Sequence, residues 1–474
     1  MGLYFLYLFS ISHLKDRQSI SSEVSVLPII LHTHLIFMKI LKFGGTSVGS
    51  PQRMKEVCQL INDGQQKIVV LSAMSGTTNS LVEIADYIQK RNPEAANNVI
   101  NKLRNIYLQH IEELYSSEST VKETRELLLN IFMHLHHLTA EEYSAKLEKE
   151  ILAQGELMST NMVTNYLKEL GVKVNLIPAL DYMRTDDNGE PDMPYIKEHL
   201  SDIMKHNAGY ELYITQGFIC RNKVGDIDNL QRGGSDYTAC LIGAVLAAEE
   251  IEIWTDIDGM HNNDPRFVPN TTPVRQLNFE EAAELAYFGA KILHPTCIQP
   301  ARYAGVPVKL LNTMDPSAPG TIINNKMQKG TIKAVAAKDN ITSIKIVSSR
   351  MLLATGFLRK VFEIFETNQT PVDMVTTSEV GVTLTIDNNA HLANITEELK
   401  KYGTVEIDEN MCIICVVGDL RWGNVGFETL VTEALNQIPV RMISYGGSNH
   451  NISFLVKDTD KKEALCALSD KLFN

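Results

Sequence analysis

From residue 38 to about residue 325, the chain alternates short runs of aliphatic and β-branched residues with longer stretches in which apolar residues recur every three or four positions. Five runs have the length and composition of buried strands: 68–71, 172–177, 212–219, 251–254 and 306–311. The stretch 93–150 is rich in Leu, Glu, Asn and Lys at helical spacing. Strands that alternate with helices are typical of an α/β domain, so this pattern predicts a mostly parallel central sheet covered by helices.

After residue 325 the pattern changes, and a unit of about 70 residues occurs twice. Gly356-Phe357 opens a helical stretch that ends before Pro371-Val372, and Gly426-Phe427 opens a second one that ends before Pro439-Val440. A strand precedes each helical stretch and two strands follow it. Because such small α/β units bury their sheets poorly alone, we expect the two units to pair with one another or with a second chain.

These patterns predict the domain organisation of the chain. We expect a first domain over 38–325, a small α/β module over 340–400 and a second module over 410–474, with the two modules interleaved. The apolar run 3–11 lacks a basic region before it and is too short to span a bilayer. We therefore expect 1–37 to be an extension outside the fold or a misassigned start, with a weak signal peptide as the alternative.

Composition limits the partners of the chain. Its 474 residues include 57 Asp and Glu against 44 Lys and Arg, which gives a net charge of -13. This balance argues against a general attraction to nucleic acid or to an anionic membrane, and it favours small-molecule partners. The seven cysteines are odd in number and mostly isolated, as expected for a reducing cytoplasm.

Two stretches have the residue types of metal sites. Cys412-Ile-Ile-Cys415 has metal-ligand spacing, but it has no second pair and lies in an apolar run, so core packing is favoured. His134, His136 and His137 lie in a helical pattern without a carboxylate at ligand spacing, which favours a helix surface.

A glycine loop follows the first predicted strand. Lys42-Phe43-Gly44-Gly45-Thr46-Ser47 combines one cation, two glycines and two hydroxyls. The pair of glycines fits a tight turn, since glycine adopts positive φ without strain. It fits a phosphate site equally well, because small residues let backbone N–H groups approach an anion while a nearby lysine adds a charge. The stretch alone does not decide between the two.

Further loops carry hydroxyls, acids and cations at the ends of predicted elements. Ser72-Ala73-Met74-Ser75-Gly76-Thr77-Thr78-Asn79 follows a strand, where open α/β folds bind ligands, and Gly155-Glu156-Leu157-Met158-Ser159 places an acid at the start of a helical run. Arg232-Gly233-Gly234-Ser235-Asp236 opens an apolar helix after a cation, which suits a second anion. No GxxxxGK[ST] motif occurs, which excludes a P-loop NTPase.

The order of these stretches resembles that of the aspartate kinases. The matching motifs are Lys42 to Ser47, Gly155 to Ser159, Arg232 to Asp236, Trp254-Thr255-Asp256 and Phe288-Gly289-Ala290-Lys291 with His294-Pro295. The resemblance extends from about Lys39 to the C-terminus, and Thr376 to Val380 is similar to the lysine-sensitive, monofunctional type. It implies a three-layer amino-acid-kinase domain with a mostly parallel sheet, followed by two ferredoxin-like ACT modules.

The resemblance also implies an activity: transfer of the γ-phosphoryl group of ATP to the side-chain carboxylate of L-aspartate, the first step towards lysine, threonine and methionine. Lys42, Asp236 and Lys291 would be catalytic, with Asp236 ordering the lysines or a magnesium-bound water. The residues implied to bind ATP are Lys42, Phe43, Gly44, Gly45, Thr255, Asp256, His261, Arg266, Lys291 and Ile292. Those implied to bind aspartate are Thr78, Glu156, Arg232, Gly233, Gly234 and Ser235. Mg²⁺ would be held mainly through the nucleotide phosphates, without a separate metal site on the protein.

Regulation is implied by the ACT modules. Residues that match an effector site between two subunits are Met351, Phe357, Leu358, Val372, Asp373, Thr377 and Ser378. The resemblance implies a homodimer, with a tetramer as a further state, that L-lysine inhibits, with Asp373 attracting the ligand's ammonium group. Ala354 and Pro371 stand where those relatives have serines, so the class of effector is better defined than its identity.

Two substitutions in the catalytic motifs depart from the family pattern, and two other functions stay open. His261 stands where relatives often have tyrosine, and Gln231 where glycine is common, which puts nucleotide or substrate affinity in doubt. Another amino-acid kinase would share the first glycine loop but is not expected to carry Gly-Glu-Leu-Met-Ser and paired ACT modules. A catalytically inactive amino-acid sensor is the alternative from a different class.

Overall fold

The structure is a computed structural model that describes residues 38–230, 233–289, 293–348 and 355–473. The expectations for 1–37 lie outside the described residues. The same holds for Gln231, Arg232, Lys291, Ile292, Met351 and Ala354.

The first part of the described chain is built on a mostly parallel sheet. Its strands are β1 (Lys39–Phe43), β2 (Lys67–Leu71), β3 (Val174–Leu176), β4 (Leu212–Gln216), β5 (Ile219–Arg221), β6 (Ile227–Asn229), β7 (Glu250–Thr255), β8 (Gln276–Asn278), β9 (Val308–Asn312) and β10 (Thr321–Asn324). Eight of them pair in the order β3-β4-β2-β1-β7-β9-β10-β8, and β5 pairs with β6 separately. The pairs in the larger sheet are parallel except β9 with β10. The predicted α/β fold is therefore confirmed.

Helices cover both faces of this sheet. They are α1 (Pro51–Ile61), α2 (Thr77–Gln89), α3 (Pro93–Leu114), α4 (Glu118–Leu138), α5 (Ala145–Glu169), α6 (Met193–His206), α7 (Gly234–Leu246), α8 (Phe279–Tyr287) and α9 (Gln299–Ala304). Alternate residues of β1 enter different cores: Ile40 packs in one cluster with α7, and Leu41 packs in the other with α1 to α5. Two cores, one on each side of the sheet, give the predicted three layers.

The predicted strand 212–219 is wrong in one respect, because the chain forms two strands there. Phe218 adopts a left-handed conformation with φ of 67°, and Gly217 donates its N–H to the Leu71 carbonyl of the neighbouring strand. A positive φ ends an extended strand, so β4 stops at Gln216 and β5 leaves in another direction. This break places Gly217 and Phe218 at the carboxyl edge of the sheet.

The second part of the described chain is a six-stranded antiparallel sheet in the order β12-β13-β11-β14-β16-β15. Its strands are β11 (Ile332–Val347), β12 (Val375–Thr377), β13 (Gly381–Ile386), β14 (Thr404–Gly418), β15 (Met442–Tyr445) and β16 (Asn451–Lys457). Its helices are α10 (Phe357–Thr367), α11 (Leu392–Lys400), α12 (Phe427–Ala434) and α13 (Lys461–Phe473). The long strands β11 and β14 pair at the centre, so the two repeat units share one sheet. Each unit also has a final helix, α11 or α13, that the repeat pattern did not predict.

The structure also decides the two metal-like stretches. Cys412 and Cys415 are fully buried in β14, and because they are three positions apart on a strand they face different cores, so they do not form a pair of ligands for one ion. Packing explains Cys415, whereas Cys412 Sγ lies 3.5 Å from Asp339 Oδ1, and Asp339, Cys412 and Asp458 are close enough together to hold a metal ion. His134 lies on α4 as predicted, but α5 does supply a carboxylate, with Glu150 Oε1 at 2.9 Å from His134 Nε2. Among the described residues, no helix is both long and apolar enough to span a bilayer.

Candidate active site

The loop after β1 lies against the loop after β2, and its glycines allow the approach. Neither Gly44 nor Gly45 has a positive φ, so the backbone freedom of glycine does not explain the pair. A Cβ on Gly45 would lie 2.9 Å from the Ala73 carbonyl oxygen, and one on Gly44 would lie 3.5 Å from Lys42 Nζ. Ser75 also donates its N–H to the Gly45 carbonyl at 3.1 Å. Gly45 is therefore needed because two loops meet at the carboxyl edge of the sheet, where open α/β folds bind ligands, whereas the distance at Gly44 is an ordinary contact.

Lys42 and Asp236 form an ion pair inside this edge. Their Nζ and Oδ1 atoms are 2.8 Å apart, and each side chain is 12% exposed. Asp236 lies in the first turn of α7, where the partial positive charge of the helix favours an acid. Gly233 precedes that helix with φ of 78°, and a Cβ there would lie 2.6 Å from Cys297 Sγ. The start of α7, with its unpaired N–H groups, thus faces the same space as the lysine.

Glu156 lies near the middle of α5, and not at the start of a helix as its sequence context predicts. A Cβ on the neighbouring Gly155 would lie 2.8 Å from the Ala73 Cβ, so the glycine lets α5 approach the loop after β2. Glu156 is 4% exposed, and its Oε1 accepts the Ala73 N–H at 3.1 Å. Burial is the main influence on this carboxyl and raises its pKa to about 7.

We expect Glu156→Gln to raise the unfolding temperature clearly at pH 8 and much less at pH 5. The carboxyl has a pKa of about 7 when folded against an ordinary value of 4.5 for an exposed glutamate, so the folded state holds its proton to higher pH than the unfolded chain does. Stability therefore falls as pH rises through this window, by roughly 3 kcal/mol once the buried group is ionised. Scanning calorimetry at both pH values measures the difference. An equal gain at both values would contradict the burial of an ionisable carboxyl as its cause.

Most of the predicted substrate residues surround one cleft of about 400 Å³. Ser72 Oγ donates to Ser235 Oγ at 2.9 Å and thereby joins the loop after β2 to the start of α7. The predicted residues that line the cleft are Lys42, Gly45, Thr78, Glu156, Gly233, Gly234, Ser235 and Asp236. Ser72, Ala73, Met74, Ser75, Gly76, Asn79 and Phe218 line it as well, although they were not predicted as site residues. The hydroxyl residues of the loop 72–79 indicated in the sequence that this loop contributes to a ligand site. The break at Phe218 was not visible in the pattern of apolar residues.

The predicted nucleotide residues are more widely spread. The Phe43 side chain is fully buried and stacks on Trp254 with 5.7 Å between ring centroids, so its backbone alone can serve a ligand. Thr255 and Asp256 lie at the end of β7, beside β1. His261 and Arg266 line a second cavity of about 370 Å³, which lies between the loop after β7, the end of α8 and β11.

The second cavity is less polar than the first. His261 Nδ1 lies 2.9 Å from the Thr271 hydroxyl, and burial lowers the pKa of its ring, which favours the neutral imidazole. Arg266 is 66% exposed and pairs with Asp264 at 2.6 Å. Val335 and Ala337 of β11 form part of the wall of this cavity. The antiparallel sheet therefore contributes directly to a cavity that contains two predicted nucleotide residues.

The described effector residues lie around α10 and the β12–β13 turn. Phe357 is buried and Leu358 is 40% exposed at the start of α10, while Val372 packs on the same cluster as Phe357. Thr377 ends β12, and Ser378 begins the turn that follows. The Asp373 side chain is only 2% exposed, and its Oδ1 already pairs with Lys338, while its buried Oδ2 has no hydrogen-bond partner among the described residues.

Comparison with known proteins identifies the family. A model of the amino acid kinase family matches residues 38–312, and an ACT domain model matches residues 414–472. The chain is 35% identical over 465 residues to aspartokinase 1, chloroplastic, of Arabidopsis thaliana, covering 92% of this chain and 80% of that protein. It is 34% identical over 447 residues to lysine-sensitive aspartokinase 3 of Escherichia coli, covering 92% and 99%.

Solved structures give the same result. E. coli aspartokinase III in complex with aspartate and ADP aligns with a TM-score of 0.79 at 34% identity, covering 92% of this chain and all of that one. The same enzyme in complex with lysine and aspartate aligns with a TM-score of 0.77 at 35% identity and the same coverage. The chain therefore belongs to the amino acid kinase family and, within it, to the aspartokinases.

Proposed function

We propose that the 400 Å³ cleft is where this ATP-dependent aspartate kinase moves the γ-phosphoryl group of ATP to the side-chain carboxylate of L-aspartate, giving 4-phospho-L-aspartate. The observation that carries the proposal is the convergence of Lys42, Asp236 and Glu156 with the start of α7 in one cleft. The solved E. coli enzyme with aspartate and ADP, similar over 92% of this chain, supports it.

The reaction needs positioning and charge neutralisation more than it needs a base. The attacking carboxylate is already ionised at neutral pH, so no proton has to be removed from it. Phosphoryl transfer spreads negative charge over the equatorial and leaving oxygens, and preorganised cations stabilise that charge. Lys42, held by Asp236 beside the glycine loop, is the described cation suited to this task, and we assign Lys291 to the same task from its motif.

Aspartate carries two further charges that the cleft can hold. We assign its α-ammonium group to Glu156, whose carboxyl ionises near neutral pH and gains a counter-ion when substrate binds. We assign its α-carboxylate to Arg232, next to the N–H groups that open α7 at Gly233 and Gly234. The hydroxyls of Thr78 and Ser235 line the same space.

Magnesium would enter with the nucleotide. A bound Mg²⁺ neutralises the β- and γ-phosphate charges and prefers oxygen ligands. The Asp236 carboxylate and the hydroxyls of Ser72, Ser75 and Ser235 supply such oxygens in the cleft, so the residues fit the ion. The role we assign to Asp236 is to hold Lys42 and to orient water on that ion.

We assign the rest of ATP to the region between the cleft and the second cavity. Thr255 and Asp256 end the strand next to β1, so they lie beside the Gly44-Gly45 loop. His261 and Arg266 follow within eleven residues of Thr255 and line the 370 Å³ cavity, whose apolar wall suits a base. At this position relatives often have a tyrosine. A neutral His261 can both donate and accept a hydrogen bond in the cavity.

Regulation by an amino acid, with L-lysine as the first candidate, is the finer part of the proposal. The similar E. coli enzyme has been solved with lysine and aspartate bound.

A homodimer through the antiparallel sheet and its helices is supported by exposed apolar side chains on α10 and near α12: Leu358 and Phe362 are each 40% exposed and Val425 is 94% exposed. A reducing cytoplasm stays our proposal for its location, supported by seven cysteines that are odd in number and mostly isolated along the sequence.

The proposed activity is tested by ADP release from ATP with L-aspartate, with L-glutamate and without an acceptor. We expect release to depend on L-aspartate and to stay near background with L-glutamate, because the α-carboxylate and α-ammonium contacts fix the length of the acceptor. Trapping the acyl phosphate with hydroxylamine identifies the product. Equal release with glutamate would favour another amino-acid kinase, and no release with any acceptor would favour an inactive sensor.

A further inference from the structure

Asp373 lies where the antiparallel sheet meets the catalytic domain. Its Oδ1 accepts hydrogen bonds from Lys338 Nζ at 2.7 Å and from the Tyr287 hydroxyl. Lys338 also pairs with Asp387 at 3.0 Å, and its Nζ lies 4.3 Å from the centroid of the Tyr287 ring. The other carboxylate oxygen, Oδ2, is buried and has no hydrogen-bond partner among the described residues. One carboxylate therefore joins two parts of the protein and keeps one acceptor free.

Tyr287 belongs to the catalytic domain. It is the last residue of α8, four positions before Lys291, whereas Lys338 and Asp373 belong to the antiparallel sheet and the loop that precedes β12. Two residues after Tyr287, Gly289 has φ of 122°, and a Cβ there would lie 2.1 Å from the Ala337 carbonyl oxygen. The segment that leads to Lys291 is thus held at two neighbouring points, by the hydrogen bond from Tyr287 to Asp373 in the loop before β12 and by the close contact of Gly289 with Ala337 of β11.

The protonation states suit a stable link. Burial and the hydrogen bond to Asp373 raise the pKa of Tyr287 to about 12, so its hydroxyl stays a neutral donor. Burial works against the charge on Lys338, but its hydrogen bonds to Asp373 and Asp387 outweigh burial and raise its pKa. The Asp373 carboxylate therefore has one cationic and one neutral donor on the same oxygen at physiological pH.

We infer that Tyr287 is a positioning residue whose hydrogen bond to Asp373 holds the end of α8, and that an effector inhibits by competing for this carboxylate. The inference rests on the proposed regulation by an amino acid. An ammonium group that binds Oδ2 competes with Lys338 for the single negative charge of Asp373. It thereby turns the carboxylate away from the orientation in which Oδ1 accepts the Tyr287 hydroxyl. When the carboxylate turns towards the effector, the end of α8 loses its hydrogen bond to the loop before β12, and the segment leading to Lys291 keeps only the contact of Gly289 with β11.

Competition for one carboxylate predicts two linked effects of Tyr287→Phe, which removes the hydroxyl and keeps the ring. Without amino acid, kcat falls by about fivefold because α8 has lost its anchor, while both KM values stay near those of the unmodified enzyme. At the same time L-lysine binds about fivefold more tightly, because it no longer competes with the hydroxyl. Tyr303→Phe is the matched control, since Tyr303 is 83% exposed on α9.

The experiment uses the full chain, with steady-state kinetics and calorimetric titration of L-lysine. Lower kcat together with tighter binding supports the inference, because a variant that was merely destabilised would bind the effector more weakly. Unchanged kcat, or unchanged or weaker L-lysine binding in Tyr287→Phe, overturns it. If the unmodified enzyme binds none of L-lysine, L-threonine and L-methionine, the proposed regulation fails. In that case kcat alone decides: a fall in Tyr287→Phe but not in Tyr303→Phe supports the positioning role, and no fall overturns it.

Discussion

Replacing Lys42 by methionine is expected to lower kcat by about 10²-fold or more and to leave the KM for aspartate nearly unchanged. The Lys42 side chain is 12% exposed and its Nζ lies 2.8 Å from Asp236 Oδ1, so the charge is preorganised and largely shielded from solvent. A charge held in this way stabilises most strongly the state in which charge has moved onto the transferred phosphoryl oxygens. Initial rates of ADP release over a matrix of ATP and aspartate concentrations separate kcat from both KM values.

Two further variants show whether the missing charge is the cause. Lys90→Met removes an exposed lysine that pairs with Asp86 at the end of α2 and should leave kcat within about twofold. Lys42→Met also leaves Asp236 without its cation, which alone could distort the cleft. Lys42→Met with Asp236→Asn removes both charges. Recovery of activity in the double variant would show that the loss came from the unpaired acid, and near-normal kcat in the single variant would remove Lys42 from catalysis.

The fold was largely predictable because its strands and helices differ in period. The apolar run of β2 is short and continuous, as expected for a strand buried on both faces, and β1 pairs in parallel with β2 and β7 as predicted. The break after Gln216 was not predictable, because Phe218 has a strand-forming side chain and its positive φ arises from contacts with distant segments. The final helices α11 and α13 were missed because the repeat was recognised from its glycines and prolines alone.

Residues of the candidate site were predictable where the residue types of a motif indicate a chemical task by themselves. Lys42 and Asp236 were predicted from separate glycine loops, and the sheet places them 2.8 Å apart. The environment of Glu156 was not predictable, because the pKa shift depends on burial between α5 and the loop after β2. Asp373 shows the same limit: its motif indicates a ligand contact, but its bonds to Lys338 and Tyr287 cross 35 and 86 positions of the chain.

Arg232→Lys is expected to raise the KM for aspartate by about 30-fold, which corresponds to on the order of 2 kcal/mol, with little change in the KM for ATP. Arg232 directly precedes Gly233, whose left-handed conformation opens α7 and which lines the cleft beside Glu156 and Ser235. An arginine at this point can hold the α-carboxylate of aspartate through two parallel hydrogen bonds, whereas lysine offers a single ammonium charge. Since the contact is made to the bound substrate as well as to the transition state, its loss appears mainly in KM.

The matched control for this change is Arg125→Lys, because Arg125 is 46% exposed on α4 and pairs with Glu112. A surface pair of this kind contributes little, typically under about 1 kcal/mol, so neither KM should change measurably. Product inhibition by ADP, measured on both variants, checks that the nucleotide end of the site is intact. If Arg232→Lys behaves like the control and the KM for aspartate is unchanged, Arg232 is itself a surface residue. The α-carboxylate must then be held by the N–H groups of Gly233 and Gly234 at the start of α7, without a side-chain cation.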